Sequence, residues 1–226
     1  MREPEVASLM TRHVVTARPQ TPFKQLAAML ADGAFSAVPV VDPEGRPVGV
    51  VSEADLLPKE EYRNGTGDAP SLFAGHAAKQ RWRQAHGVTA ADVMSAPVIT
   101  VGAHEAASTA ARELAAAGVR RLFVVDADGK LLGVLSRRDL LRLFLRTDEQ
   151  LRRDIVHHVM QRTLWLEPTA VTVEVVDGVV TLHGHVERRS EADIALRLTR
   201  ATPGVVDVTS HLTHTWDDTD LNHRVG

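Results

Sequence analysis

The 226-residue sequence contains no cysteine, which rules out disulfides, thiolate nucleophiles and cysteine-based zinc sites. It has no apolar run of the length that a bilayer crossing or a signal peptide requires, so a cytoplasmic location is expected. Charge of one sign is scarce as well. The 26 basic and 29 acidic residues leave a net charge of −3, which gives no general attraction to polyanions and argues against nucleic acid as a partner. A Walker loop, a dinucleotide-type glycine fingerprint and a nucleophile–base set are also missing, and this points away from an enzyme with a catalytic cofactor. The 44% apolar content is nevertheless ample for a core, and the length suits two ordinary domains.

What is present is a duplication. Met10 to Leu57 recurs without insertion or deletion as Met94 to Leu141, every position returning 84 residues later. Val40-Val41-Asp42 falls on Val124-Val125-Asp126, and Gly49, Ser52 and Asp55 fall on Gly133, Ser136 and Asp139. Each copy reads as a short extended segment (Val14 to Thr16; Val98 to Thr100), a helix, two strands around a Gly-containing turn, and a further helix. The strands are Val38 to Val41 and Val48 to Val51 in the first copy, Leu122 to Val125 and Leu131 to Leu135 in the second. The order is βαββα, and one copy alone leaves a sheet face poorly covered, which favours packing of the two about a pseudo-twofold axis. Between them, residues 58–88 form a linker with a polar Asn64 to Pro70 loop and a short basic helix around Trp82.

From Asp148 the pattern changes. An amphipathic helix carries Leu151, Ile155 and Val159. Val171 to Val175 alternates, and a tight turn at Asp177-Gly178 leads into Val180 to Val186. A second helix spans Arg189 to Ala201, a strand follows from Val206 to Leu212, and a polar tail, expected to fray, begins at Trp216. This is a separate αββαβ module.

The doubled Gly-x-x-Ser-x-x-Asp-Leu-Leu, with its preceding Val-Val-Asp and strand threonine, resembles a tandem pair of CBS domains, a Bateman module. The module from 148 to 215, with Asp-Gly-Val-Val-Thr-Leu-x-Gly and Pro-Gly-Val, resembles a BON domain. The expected layout is therefore α/β (α+β), with CBS domain 1 over 1–57, the linker over 58–88, CBS domain 2 over 89–147, the BON domain over 148–215 and a tail over 216–226. The resemblance implies a non-enzymatic, regulatory, ligand-sensing protein that binds an adenine nucleotide, AMP or ATP foremost, and associates as a homodimer. For the BON-like module it implies an interaction with a protein or a phospholipid.

A carboxylate matches a ribose diol, because two adjacent hydroxyls can donate to its two oxygens. Asp55 and Asp139 are the candidates. Ser52 and Ser136 stand at the N-cap of the following helix, where free N–H groups can face a phosphate, and Thr16 and Thr100 match the family's nucleoside-contacting position. Ser-x-x-Asp is equally the pattern of a capping box, in which the carboxylate serves only its own helix. The copies also differ in charge. The second carries Arg120-Arg121 before its strand and Arg137-Arg138 beside its serine, where the first has Ser36-Ala37 and Glu53-Ala54. Guanidinium groups suit phosphate oxygens, and in the family a basic residue at the Arg121 position contacts phosphate. Stronger binding is therefore expected through Thr100, Arg120, Arg121, Ser136 and Asp139, and little or none through Thr16, Ser52 and Asp55. Seven of the 11 histidines lie beyond residue 150. His183, His185 and His211 are expected on one outward sheet face, but without a convergent carboxylate no metal site is assigned to them.

Overall fold

A computed structural model describes residues 3–33, 36–63 and 75–219. The Asn64 to Pro70 loop lies outside them. The chain divides into two compact units, one of residues 5–137 and one from residue 138 onward.

In the first unit, α1 (Val6–Leu9), α2 (Phe23–Asp32), β1 (Ala37–Val41), β2 (Pro47–Ser52), α3 (Glu53–Leu56) and α4 (Pro58–Glu61) make the first repeat. The linker helix α5 (His76–His86) follows, then α6 (Ala90–Val93), β3 (Thr100–Gly102), α7 (Ala107–Ala116), β4 (Arg121–Val125), β5 (Leu131–Ser136) and α8 (Arg137–Leu141), the last crossing the boundary between units. β1 pairs antiparallel with β2, as does β4 with β5, while β3 pairs parallel with β4.

The extended segments differ from expectation in an instructive way. The second copy forms a strand, Thr100–Gly102, but the first forms a single bridge, Ala17 to Val40. In the second copy the ladder continues because Ala103 N–H donates to Val125 O at 3.3 Å. At the other end Phe123 N–H donates to Ile99 O at 3.0 Å; the equivalents of Phe123 and Ala103 are Pro39 and Pro19, which have no N–H to give.

The repeats exchange their N-terminal segments. Val6 N–H donates to Glu105 O and Ala7 N–H to Ala103 O, while 84 residues later Ala90 N–H donates to Thr21 O and Ala91 N–H to Pro19 O. Thr11 bridges to Val134, and its equivalent Ser95 bridges to Val50. Helix α6 thus lends Ala90 and Val93 to the core of the first repeat, beside Leu26, Leu30, Val38, Val40 and Val51. The glycine repeated before each serine permits this crossing. A Cβ on Gly133 would lie 2.6 Å from Thr11 O and 2.8 Å from Met10 Sδ, and one on Gly49 would collide with Met94. Because the obstacle at Gly133 includes backbone, Gly133→Ala is expected to destabilise this unit by about 1–3 kcal/mol, read as a lowered unfolding midpoint in denaturant.

The second unit contains α9 (Asp148–Asp154), β6 (Val171–Val176), β7 (Val179–Arg188), α10 (Arg189–Arg200) and β8 (Asp207–Trp216). The order of its sheet is β6-β7-β8, with β7 and β8 parallel across the α10 crossover. The amphipathic helix expected from Asp148 is not uniform. After α9 it widens into a π-helical stretch, Ile155–Gln161, which still turns Ile155 and Val159 into a core with Val173, Val180, Leu182, Ala195 and Val208. The Asp177-Gly178 turn has both residues at positive φ (51° and 75°), as a two-residue hairpin of this hand requires. Asp148 accepts both turn N–H groups at 2.9 Å.

The tail does not fray where it begins. β8 runs on to Trp216, and the next two residues clasp the start of α10. Asp217 accepts from Arg189 at 2.6 Å, and Asp218 accepts from Ser190 N and Oγ at 3.0 and 2.6 Å. Both carboxyls are held below the usual range, Asp217 first by Thr219 and then by Arg189, Asp218 first by the Ser190 hydroxyl. A depressed carboxyl contributes stability that is full above its unfolded pKa and lost as pH falls through the folded value. The unfolding midpoint of this unit should therefore exceed that of an Asp217→Asn/Asp218→Asn variant at neutral pH, and the two should converge as pH drops below the ordinary carboxylate range.

Candidate functional site

In the first repeat the motif folds as a capping box. Ser52 N and Oγ donate to Asp55 Oδ2 at 2.7 and 2.6 Å, satisfying the start of α3 in the local manner that Ser-x-x-Asp permits. The other oxygen is not free. Asp55 Oδ1 accepts from Gln84 Nε2 at 2.7 Å and from Ser95 Oγ at 2.8 Å. Asp55 is 8% exposed and Gln84 5%. Neither Gln84 nor Ser95 was among the residues expected here. Ser95 was detectable, since it is the 84-residue equivalent of Thr11 and both are hydroxyl residues placed after the repeated methionine. Gln84 belongs to the linker, outside the duplication, and only the packing of α5 brings it in.

In the second repeat, Arg121 and Ser136 are direct cross-strand neighbours, and Thr100 pairs with Phe123 two positions along β4. Thr100, Arg121 and Ser136 therefore gather at one end of the three-stranded sheet. Arg121 is half-buried and reaches across to the first repeat, donating to Ser36 Oγ at 2.5 Å and to Ala37 O at 3.5 Å. Ala37 is its own pseudo-twofold equivalent, so the side chain lies close to the axis. Burial, then the neighbouring Arg120, lower its pKa, while Glu53 opposes them. Arg137 Nε donates to Val119 O at 3.1 Å, and Arg137 N–H to Arg120 O. Arg120, Arg121 and Arg137 thus cluster, and among the described residues none has a carboxylate within ion-pair distance.

Asp139 lies on α8 with 6% exposure, and Arg142 stands 3.6 Å from its Oδ1. Thr16 is exposed and lies outside any strand. On the sheet of the second unit, the rings of His183 and His211 stack across strands at 4.9 Å, whereas His185 bonds to the hydroxyls of Thr213 and Thr215 at 2.9 Å. Among the described residues, no group of three or more His, Asp or Glu converges as a metal site, and no helix is long and apolar enough to cross a membrane.

Two families account for this architecture. The CBS domain matches residues 6–60 and 90–146, and the BON domain matches residues 147–215. The chain is thus a tandem CBS pair followed by a BON domain. The CBS domain-containing protein CBSX2 of Arabidopsis thaliana is 31% identical over 144 residues, covering 59% of each chain. The 5'-AMP-activated protein kinase subunit gamma of Saccharomyces cerevisiae is 31% identical over 125 residues, 55% of this chain and 35% of that protein. This chain spans less than two thirds of the length of the curated relatives it matches. A crystal structure of CBSX2 in complex with AMP superposes with a TM-score of 0.55 at 30% identity, covering 62% of this chain and 96% of that one.

Proposed function

We propose that the protein is a non-enzymatic regulator whose second CBS repeat binds an adenine nucleotide of the AMP, ADP or ATP class. The observation that carries this reading is Arg121. A half-buried guanidinium hydrogen-bonded only to neutral oxygens, with Arg120 and Arg137 close by, has desolvation that Glu53, not paired with it, offsets only in part. A phosphate supplies a paired anion, and the planar fork favours it. Ser136 sits directly opposite, Thr100 lies on the adjacent strand, and Asp139, three residues on from Ser136 in the motif, is assigned the ribose diol. The related CBS pair crystallised with AMP supports the choice of ligand class. Occupancy then biases the packing of the CBS pair, or of a homodimer of pairs, through the ligand's different affinity for the two arrangements, and the BON domain passes the change to a protein or phospholipid partner.

A second reading is an interaction protein with empty CBS sites whose BON domain does the binding. The near-complete burial of Asp139 and its pairing with Arg142 favour it. Thermal unfolding of the full chain separates the two readings. A ligand of the native state at 100 times its dissociation constant adds about 2.7 kcal/mol of stability, so AMP, ADP or ATP should raise the midpoint in a concentration-dependent way. A flat midpoint with all three leaves the interaction protein.

A further inference from the structure

We infer that the first CBS repeat carries an internal occupant, the Gln84 side chain of the linker helix, which together with Ser95 closes Asp55 to nucleosides, so that the chain takes one nucleotide and not two. This rests on the nucleotide-binding reading of the second repeat for the identity of the remaining site, but the closure itself is argued from the first repeat alone.

An ionised carboxylate has about four lone-pair positions. At Asp55 all four are used, two by Ser52 and one each by Gln84 and Ser95. A ribose diol needs two of them, and Oδ1 is the oxygen whose donors come from outside the local capping box. Gln84 is fixed there. Its Nε2 also donates to Val93 O at 3.1 Å, and Gln80, one turn earlier on α5, donates to Ser95 Oγ at 3.0 Å. The helix as a whole is clamped. Lys59 Nζ donates to Ala85 O and Gly87 O at its C-terminal end, at 3.3 and 2.6 Å, where a cation is favoured by the helix dipole, and Arg81 pairs with Glu61 at 2.5 Å. The duplication does not extend to this device, because the residue 84 positions after Gln84 is Pro168.

The first repeat also lacks the cations that its counterpart places beside the motif. Ser36, Ala37 and Glu53 stand where the second has Arg120, Arg121 and Arg137. Once opened, Asp55 suits an uncharged nucleoside, and adenosine is the appropriate probe.

The test is calorimetric titration of the full chain with adenosine, together with photolabelling of the wild type by 8-azidoadenosine and peptide mapping. Because a diol needs both positions on Oδ1, the Gln84→Ala/Ser95→Ala variant should bind one more adenosine per chain than the wild type, and adding Asp55→Asn should remove the gain. In the wild type, label on residues 36–57 should be no greater than in Asp55→Asn, since Ser36 and Ala37 also adjoin Arg121 of the second repeat. Equal stoichiometry in the folded double variant and the wild type overturns the inference, as does wild-type label on residues 36–57 that Asp55→Asn removes. If the double variant does not fold, the wild-type labelling decides alone. A wild type that binds no adenosine or AMP refutes the nucleotide reading of the second repeat, while a gain in the double variant that depends on Asp55 still upholds the closure.

Discussion

Gly184→Ala should unfold the C-terminal unit well before the rest of the chain. Gly184 has φ +144°, a backbone region in which a side chain costs about 1–3 kcal/mol. A Cβ built there collides with Ala170 O and lies 3.0 Å from Val171 Cα. These are backbone atoms, held in place because Val171 pairs with Gly184 and His185 N–H donates to Ala170 O at 3.1 Å. No rotamer change relieves the clash, so an overpacking cost of about 1–3 kcal/mol adds to the strain. For a domain of this size each kcal/mol lowers the midpoint by about 4–8 °C, so a fall of roughly 10–50 °C is expected. Hydrogen exchange resolved by peptide localises the loss. Protection of β6 and β7 should collapse while that of β1 and β2 persists, and an unchanged midpoint would remove this account of why a glycine stands mid-strand.

The other large effect concerns binding. Arg121→Ala should weaken AMP by roughly 10- to 150-fold, because a hydrogen bond to a charged group is worth about 1.5–3 kcal/mol. The same substitution also removes the bonds to Ser36 and Ala37, so a structural effect must be separated from an electrostatic one. Adenosine makes the separation. It lacks the phosphate, and its affinity for the wild type and for Arg121→Ala should agree within about threefold. Equal losses for AMP and adenosine would assign Arg121 to the architecture of the cleft and not to the ligand. Raising the salt concentration should weaken AMP in the wild type more than in the variant, as screening of a phosphate–guanidinium contact requires.

Much of the fold could be read from the residues because its determinants are local. Alternation in Val171–Val176 and Val179–Arg188, the Asp177-Gly178 turn and the 84-residue register place the strands and hairpins where they are found. Two departures were local in origin too. Pro19 and Pro39 truncate the first repeat's parallel ladder, and the stretch after Asp154 relaxes into π geometry while keeping Ile155 and Val159 buried. The tail misled for a different reason. Asp217 and Asp218 look like solvated polar residues until α10 presents Arg189 and Ser190 to them.

The candidate site divides in the same way. Which residue types recur, and that only the second copy is rich in arginine, are properties of the chain read end to end. That Arg121 turns towards its own counterpart Ala37, and that Asp55 meets Ser95 and Gln84, depends on segments exchanged between repeats and on a helix outside them. The sequence alone determined the duplication, the two families and the asymmetry of charge, since register and composition need no third dimension. Only the tertiary structure decided which carboxylate is already satisfied, because a hydrogen bond between residues 29 or 40 positions apart is set by packing and leaves no periodic trace in the chain.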